Sequence, residues 1–370
     1  MPHTTAPMSL KSLARELGIS AATVSRVLSG QAERHRISIA TRDRVLGAAR
    51  ASGLVVDQLA RSLRLRRTQS IGLLIPDISN PFFAQLARQI ERRARHHGYS
   101  VLIADSEEDA DVEAAAMTLM LSRRVDGLIV APVGTPATDN PLRSLGGRPC
   151  VLVDRLLEQP SLPAVTSDHR HGAELATQHL IARGHRRIGC VEGSPGTFAN
   201  DARIAGWRAA MASAGLAAGD DLVAGTGYSV DAGVAAARTL LRRAERPTAV
   251  LALGNVLALG VLQAAREERI IVPDDLSLVA FDDQLWAAVT SPALTIVEQP
   301  IEALGREVVD LLLERIAAPL DDPPARRILP VRLIERESVR DLGAGRVVPA
   351  PPAQRTPDPP APAHGRAGAR

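Results

Sequence analysis

LKSLARELGISAATVSRVLSG, residues 10–30, decides how the front of the chain is read. Leu10, Leu13, Ala14 and Leu17 recur at helical spacing, Ser9 stands where an N-cap belongs, and Gly18 supplies a left-handed stop. After that break Ser20 is placed to cap a second helix, whose inward face is Val24, Val27 and Leu28 and which ends at Gly30. Two short helices joined by a tight glycine turn make a helix-turn-helix. A basic loop, QAERHR, then leads to a third amphipathic helix running from a Ser38 cap through Val45 and Ala49 to Gly53. Burial of Val24, Val27 and Leu28 leaves Ala21, Ala22, Ser25, Arg26 and Ser29 facing outward. Of these, Arg26 has the fork geometry that meets guanine O6 and N7, while the hydroxyls of Ser20, Thr23 and Ser25 suit phosphate oxygens.

The distribution of charge points the same way. Residues 1–70 carry 12 Lys and Arg against 4 Asp and Glu, a net of +8, whereas the whole chain is +3 and the remainder therefore −5. Basic charge is concentrated where a phosphate-facing module would need it. The chain of 370 residues is long enough for two or three domains, and 45% apolar content without a run of about 18 apolar residues predicts a soluble protein. The start MPHTTAPMSL has neither the basic nor the apolar stretch of a secretory signal, so a cytoplasmic location is expected. Cys150 and Cys190 lie in apolar, strand-like runs and are expected as buried thiols, neither disulfide-bonded nor metal-binding. No nucleophile elbow, zinc-protease motif, P-loop or dinucleotide fingerprint is present, and HRH at 169–171 reads as a solvated helix start, so no enzyme is expected.

Residues 57–67, DQLARSLRLRR, form a short candidate helix with Asp57 as cap, too short to be stable alone. From Ile71 strands alternate with helices. Apolar runs occur at 71–75, 99–105, 126–132 and 150–154, and a second series at 186–193, 248–254 and 276–283, predicting two doubly wound parallel-sheet lobes. Ligands of such sheets bind beyond the carboxyl ends of the strands, which here carry Asp77, Asp105, Asp154 and Asp282. The last 28 residues hold seven of the 26 prolines and read as a disordered tail of net charge +3.

Over residues 9–340 the chain resembles the lactose-repressor/galactose-repressor (LacI/GalR) family of transcription factors. The resemblance rests on the opening motif, on ARSLRLRRTQSIGLLIPDISNPFFAQL, RRVDGLIVAP, HLIARGHRRIG, RIAGWRAAMASAGL and LSLVAFDD, and on SPALTIVEQPIEALG. It implies a helix-turn-helix headpiece over 9–56, a hinge helix and linker over 57–69, a periplasmic-binding-protein-like core of two lobes over 70–342, and a tail over 343–370. It also implies a sequence-specific regulator, in most such proteins a repressor, that binds a pseudo-palindromic double-stranded DNA operator as a homodimer or tetramer. No cofactor or metal is implied, only a small-molecule effector, a sugar or sugar derivative. A purine or other metabolite is an alternative effector, and a sugar receptor without DNA function an alternative class.

Carried over residue by residue, the DNA contacts are Ser20, Ala21, Ala22, Thr23, Ser25, Arg26, Ser29, Arg61, Leu63 and Arg64, with Arg66 and Arg67 also near phosphates. In the family the first two positions of the second helix choose the operator. Here both are alanine: Ala22 offers a methyl to thymine, and Ala21 is either such a contact or only a helix former. Leu63 occupies the place of the hinge leucine that wedges into the minor groove. The effector residues are Asp77, Phe82, Phe83, Asp154, Thr197, Arg203, Tyr228, Asn255, Asp282 and Trp286. Three positions depart from the pattern: Val56-Asp57 replaces the usual Pro-Asn, Gly254-Asn255 the usual Asn-Asp, and Ala199 brings no hydrogen bond.

Overall fold

Ser9 opens the first helix through a reciprocal capping box. Its Oγ accepts from Ser12 N at 3.1 Å, and Ser12 Oγ accepts from Ser9 N at 2.7 Å. In the computed structural model, which describes residues 9–28, 31–52, 67–134, 145–157, 162–318 and 326–343, this helix is α1 (Leu10–Glu16). It is followed by α2 (Ala21–Leu28) and α3 (Ile39–Ala51). Leu13, Ala14, Val24, Val27, Ala32, Val45 and Ala49 are buried together, one small core shared by three helices. The candidate hinge helix and the tail beyond Gly343 lie outside the described residues.

The rest of the chain builds two α/β lobes. The first contains β1 (Ser70–Ile75), α4 (Pro81–His96), β2 (Ser100–Asp105), α5 (Ala110–Ser122), β3 (Gly127–Val130), β4 (Cys150–Val153) and β5 (Ala164–Ser167). The second contains α6 (His169–Ala182), β6 (Ile188–Val191), α7 (Phe198–Ser213), β7 (Val223–Ala224), α8 (Val230–Leu241), β8 (Ala249–Ala252), α9 (Asn255–Glu267), β9 (Ser277–Phe281), α10 (Leu285–Val289) and β10 (Thr295–Glu298). The chain then returns: α11 (Ile301–Ala317) packs Leu304, Val308, Val309, Leu311 and Leu312 into the first lobe's core. Finally β11 (Arg326–Leu329) closes one sheet and β12 (Arg332–Ile334) the other.

The strand orders are β11-β5-β4-β3-β1-β2 and β12-β10-β9-β8-β6-β7. All pairings are parallel except β12 on β10. Two parallel-dominated lobes are thus present as expected, and the apolar runs sit on interior strands except that of β2, which lies at an edge. Runs such as Leu128–Val130 and Val250–Ala252 are buried throughout because helices cover both faces. Cys150 and Cys190 are free and buried among them. The chain passes between the lobes three times, after β5, after β10 and between β11 and β12, so the lobes are joined by three short crossovers. Among the described residues no helix is long and apolar enough to cross a membrane.

In the second lobe α6 and α7 approach closely at Gly206, where an added Cβ would lie 2.1 Å from Arg170 O. Backbone cannot yield as a flexible side chain does. Gly206→Ala is therefore expected to destabilise this lobe by about 1–3 kcal/mol or more, read as a lowered thermal midpoint; an unchanged midpoint would contradict this packing.

Candidate functional site

On α2, Ser20 Oγ accepts from Thr23 N at 3.0 Å, and the two hydroxyls lie 2.8 Å apart. Ser20 thus starts the helix as expected. Val24 and Val27 are buried, which turns Ala21, Ala22 and Arg26 outward into solvent, with Thr23 and Ser25 at the margin. Ser29, Arg61, Leu63 and Arg64 lie outside the described residues.

A second site is built between the lobes. A small cavity there is lined by Asn80, Phe82, Phe83, Asp154, Arg155, Ala199, Arg203, Tyr228, Gly254, Asp282 and Gln299. Six of the ten expected effector residues, Phe82, Phe83, Asp154, Arg203, Tyr228 and Asp282, meet at it. Phe82, Phe83, Asp154 and Asp282 come from a helix start or a strand end, Tyr228 from the loop ahead of α8 and Arg203 from the second turn of α7. Phe82 and Phe83 open α4, where Asn80 caps the helix and Pro81 fits its first turn, and their rings meet edge-on with centroids 5.1 Å apart. Asp154 ends β4 and Asp282 ends β9, both in left-handed backbone at φ 61° and 73°, a conformation that Asp tolerates better than most residues. Tyr228 packs flat against Gly193, where an added Cβ would fall 2.2 Å from the ring.

Four expected residues do not line the cavity. Asn255 lies directly beneath it: its Nδ2 donates to Asn80 Oδ1 at 3.0 Å and to Asp282 Oδ2 at 3.1 Å. Asp77 instead accepts from Ser79 N and Oγ at 2.7 and 2.6 Å. Thr197 donates to Ser194 O at 2.7 Å. Trp286 packs against the second lobe's core with its indole Nε1 enclosed and without a partner.

Two residues that sequence reasoning passed over are central. Arg155, 3% exposed, projects into the cavity between Phe83 and Tyr228, its Cζ 5.5 and 5.4 Å from their ring centroids. His169 is buried at 2% exposure, which corrects the reading of HRH as a solvated helix start; only Arg170 and His171 of that trio face water. Helical phase explains it: the first residue of α6 points back under β4, and its two followers point out. His169 Nδ1 accepts from Arg203 Nη2 at 3.2 Å, so its proton sits on Nε2. That Nε2 faces Asp154 O and Thr166 Oγ1, both at 3.2 Å. Arg203 also donates to Leu253 O at 2.7 Å and lies 4.2 Å from the Phe281 ring centroid. Arg203 of lobe two and Asp154 of lobe one are therefore joined through a single imidazole.

The site is rich in unmet hydrogen-bonding capacity. Arg203 Nε, Tyr228 OH, Asn255 Oδ1 and Gln299 Oε1 are buried without a hydrogen-bond partner, and Asp154 Oδ1 has only the long approach of His169 Nε2 at 3.4 Å. Leaving such groups unpaired costs about 1–3 kcal/mol each, so their clustering calls for polar atoms from a ligand. The cavity volume is only about 20 Å³, room for about one water. A larger groove of about 620 Å³ runs outside the crossovers past Pro300, Arg306 and Arg332. It touches no expected effector residue, and its Glu298 and Asp283 are already paired with Arg332 and Arg336. Chemistry, not size, marks the smaller cavity as the candidate site. Among the described residues no cluster of His, Cys, Asp or Glu suited to a metal ion is found.

Residues 9–54 match the model of the bacterial regulatory proteins of the lacI family, and residues 177–339 the periplasmic binding protein-like domain. The transcriptional regulator DegA of Bacillus subtilis is 36% identical over 300 residues, 80% of this chain and 87% of its own. Among solved structures, the lac repressor dimer bound to operator and the anti-inducer ONPF superposes with a TM-score of 0.78 at 25% identity, covering 90% of this chain and all of that one. The regulator CelR in complex with cellobiose superposes at 0.67 with 30% identity, covering 90% and 99%.

Burial pushes the Asp154 carboxyl up, but the adjoining His169 ring and the Arg203 and Arg155 guanidiniums outweigh it and hold it below its ordinary value. A lowered carboxyl contributes stability above the ordinary carboxylate range and loses it as pH falls. His169→Ala is expected to cost about 2–4 kcal/mol at neutral pH, with the deficit against wild type narrowing as denaturant titrations move toward pH 3. A deficit independent of pH would contradict the link between His169 and Asp154.

Proposed function

Because the chain belongs to the lacI family of bacterial regulatory proteins, we propose that it is an operator-binding repressor whose DNA affinity is set by a small molecule in the interlobe cleft. The observation that carries this reading is the joining, in one chain, of an outward helix face bearing Arg26 with a cleft of unpaired buried polar groups. We read it as a regulator and not as an enzyme, since its relatives are transcriptional regulators and the cleft's groups are arranged to hold a ligand.

At the operator, Arg26 donates to guanine O6 and N7 from α2, and the Ala22 methyl sits against a thymine. Ala21 keeps the groove floor clear. Ser20, Thr23, Ser25, Ser29, Arg61 and Arg64 meet phosphates and fix the register. Residues 57–69 act as the hinge, with Leu63 wedged at the operator centre, where unstacking costs a few kcal/mol offset by the contacts that the bend permits. The headpiece spans 9–56, the core 70–342 and the tail 343–370.

Two copies bind together. β2 is an edge strand that leaves Leu102 and Ile103 exposed, and α10 leaves Leu285 at 91% and Val289 at 81% exposure. Apolar side chains in these numbers on one molecule fit a second copy of the chain, and a two-fold dimer reads a two-fold operator. In the cleft a sugar or sugar derivative stacks on Phe83 and Tyr228, and its hydroxyls pair with Asp154, Arg203, Asp282 and Gln299. Closure of the lobes around it alters the separation of the paired hinges, a coupling of about 1–3 kcal/mol.

Arg26→Ala tests the DNA half. At fixed salt, the affinity for an operator selected from random duplexes is expected to fall about 5- to 150-fold, with discrimination lost at one base pair of each half-site. Binding retained within threefold would mean that Arg26 does not read a base.

A further inference from the structure

We propose that the cleft selects an anionic effector, a polyhydroxyl compound bearing a phosphate or carboxylate group, and that Arg155 is the fork that receives its oxyanion. This rests on the reading of the cleft as an effector site and goes beyond it by naming the charge class of the ligand.

In the present structure the Arg155 fork is filled by a carboxylate of the chain itself. Its Nη1 and Nη2 donate to Glu108 Oε2 and Oε1 at 2.7 and 2.6 Å, a parallel two-bond pair of the kind that guanidinium forms with any carboxylate or phosphate. The two partners are not equally fixed. The Arg155 side chain is 4% exposed and walled by Phe83 and Tyr228, whereas that of Glu108 is 26% exposed at the rim. Glu108 also follows Glu107 in left-handed backbone, at φ 57° and 51°, a conformation unfavourable for residues other than glycine. Exchange of one oxyanion for another is therefore easiest on the Glu108 side: the glutamate moves out to water and its loop relaxes, while Arg155 keeps its place.

Charge balance favours the same exchange. Two guanidiniums, Arg155 and Arg203, face two cavity carboxylates, Asp154 and Asp282; Glu108 is the third, and the buried Glu113 near Arg155 has its carboxyl pushed up by burial, toward the neutral form. An effector carboxylate that takes the place of Glu108 leaves the buried charge unchanged, and a phosphate keeps the Arg155 fork filled while adding up to about one further negative charge. A neutral ligand that dislodged Glu108 would strand Arg155 without its two strongest bonds. The other end of the ligand is specified by acceptors that line the cavity, Gln299 Oε1 without a partner and the Asp154 carboxylate, which call for hydroxyl donors.

The test removes the internal competitor. Thermal unfolding of full-length Glu108→Gln is followed in inorganic phosphate, in acetate and in chloride at matched ionic strength, against wild type and Glu108→Gln/Arg155→Gln. Comparison between variants cancels the general stabilising effect of phosphate on proteins. Glu108→Gln is expected to gain about 3 °C or more in phosphate or acetate over the double variant, wild type lying between; phosphate alone effective points to a phosphate ester, acetate alone to a carboxylate. Equal midpoints for the single and double variants in both anions would overturn the proposal. In parallel, operator binding by wild type is measured with glucose, glucuronate and glucose 6-phosphate. Release by glucose together with equal midpoints would overturn the anionic class and leave the effector cleft standing. Anion stabilisation of Glu108→Gln without any change in operator affinity would uphold the oxyanion fork and count against the effector reading instead.

Discussion

One side-chain amide ties the two lobes to the floor of the cleft. Asn255 Nδ2 gives one proton to Asn80, at the start of α4 in the first lobe, and the other to Asp282, at the end of β9 in the second. Gln299, in the crossover itself, donates to the other Asp282 oxygen at 2.6 Å. The lobe contact, the crossover and the cavity wall thus share a single carboxylate. Any ligand that bonds to Asp282 or Asn80 competes with these hydrogen bonds and so alters how firmly the lobes are held. Interactions of this size, about 1 kcal/mol each, match the coupling that a ligand-controlled DNA-binding protein requires.

The cavity can respond because it is only partly satisfied. Arg203, His169 and Asp154 form a buried chain from lobe to lobe, and Gln85 Nε2 adds a second bridge to Gln284 Oε1 at 2.7 Å. Beside these filled bonds stand atoms without partners. Such a network is stiff where it is paired and costly where it is not, which favours a ligand able to complete it. The strained backbone at Asp154, Asp282 and Glu108 lies at the same place, set by strand ends that turn sharply into the cleft.

Much of this is legible in the residues alone. The headpiece is readable because capping, helical spacing and the Gly18 stop agree with one another, and the central strands because parallel strands buried on both faces become continuous apolar runs. Five strands escape that signal. AVTS of β5 has a mixed composition, β7 has two residues, and β10, β11 and β12 lie at the crossovers and outer edge, where neighbours from distant sequence decide pairing. In the site, the aromatic residues and the two aspartates at strand ends are recoverable from type and position. Arg155 and His169 are not, since an arginine in an arginine-rich chain and a histidine in HRH look like surface charge until helix phase and strand order turn them inward. Asn80 was hidden in a helix cap, and Gln299 in a motif with no chemical signature of its own.

The charge separation along the chain gives the account its direction. An excess of basic residues gathers before residue 70 and the remainder carries a net −5, so the charge suited to DNA phosphates is separated along the chain from the part that builds the cleft. Their coupling is the central claim. Footprinting of the purified protein on DNA upstream of its own gene, titrated with neutral and anionic sugars and repeated with Asp282→Asn, tests it most directly. The account predicts a protected two-fold symmetric site whose occupancy changes with one of these compounds in wild type and not in the variant. A site with no two-fold symmetry, or protection that responds identically in both proteins, would contradict it.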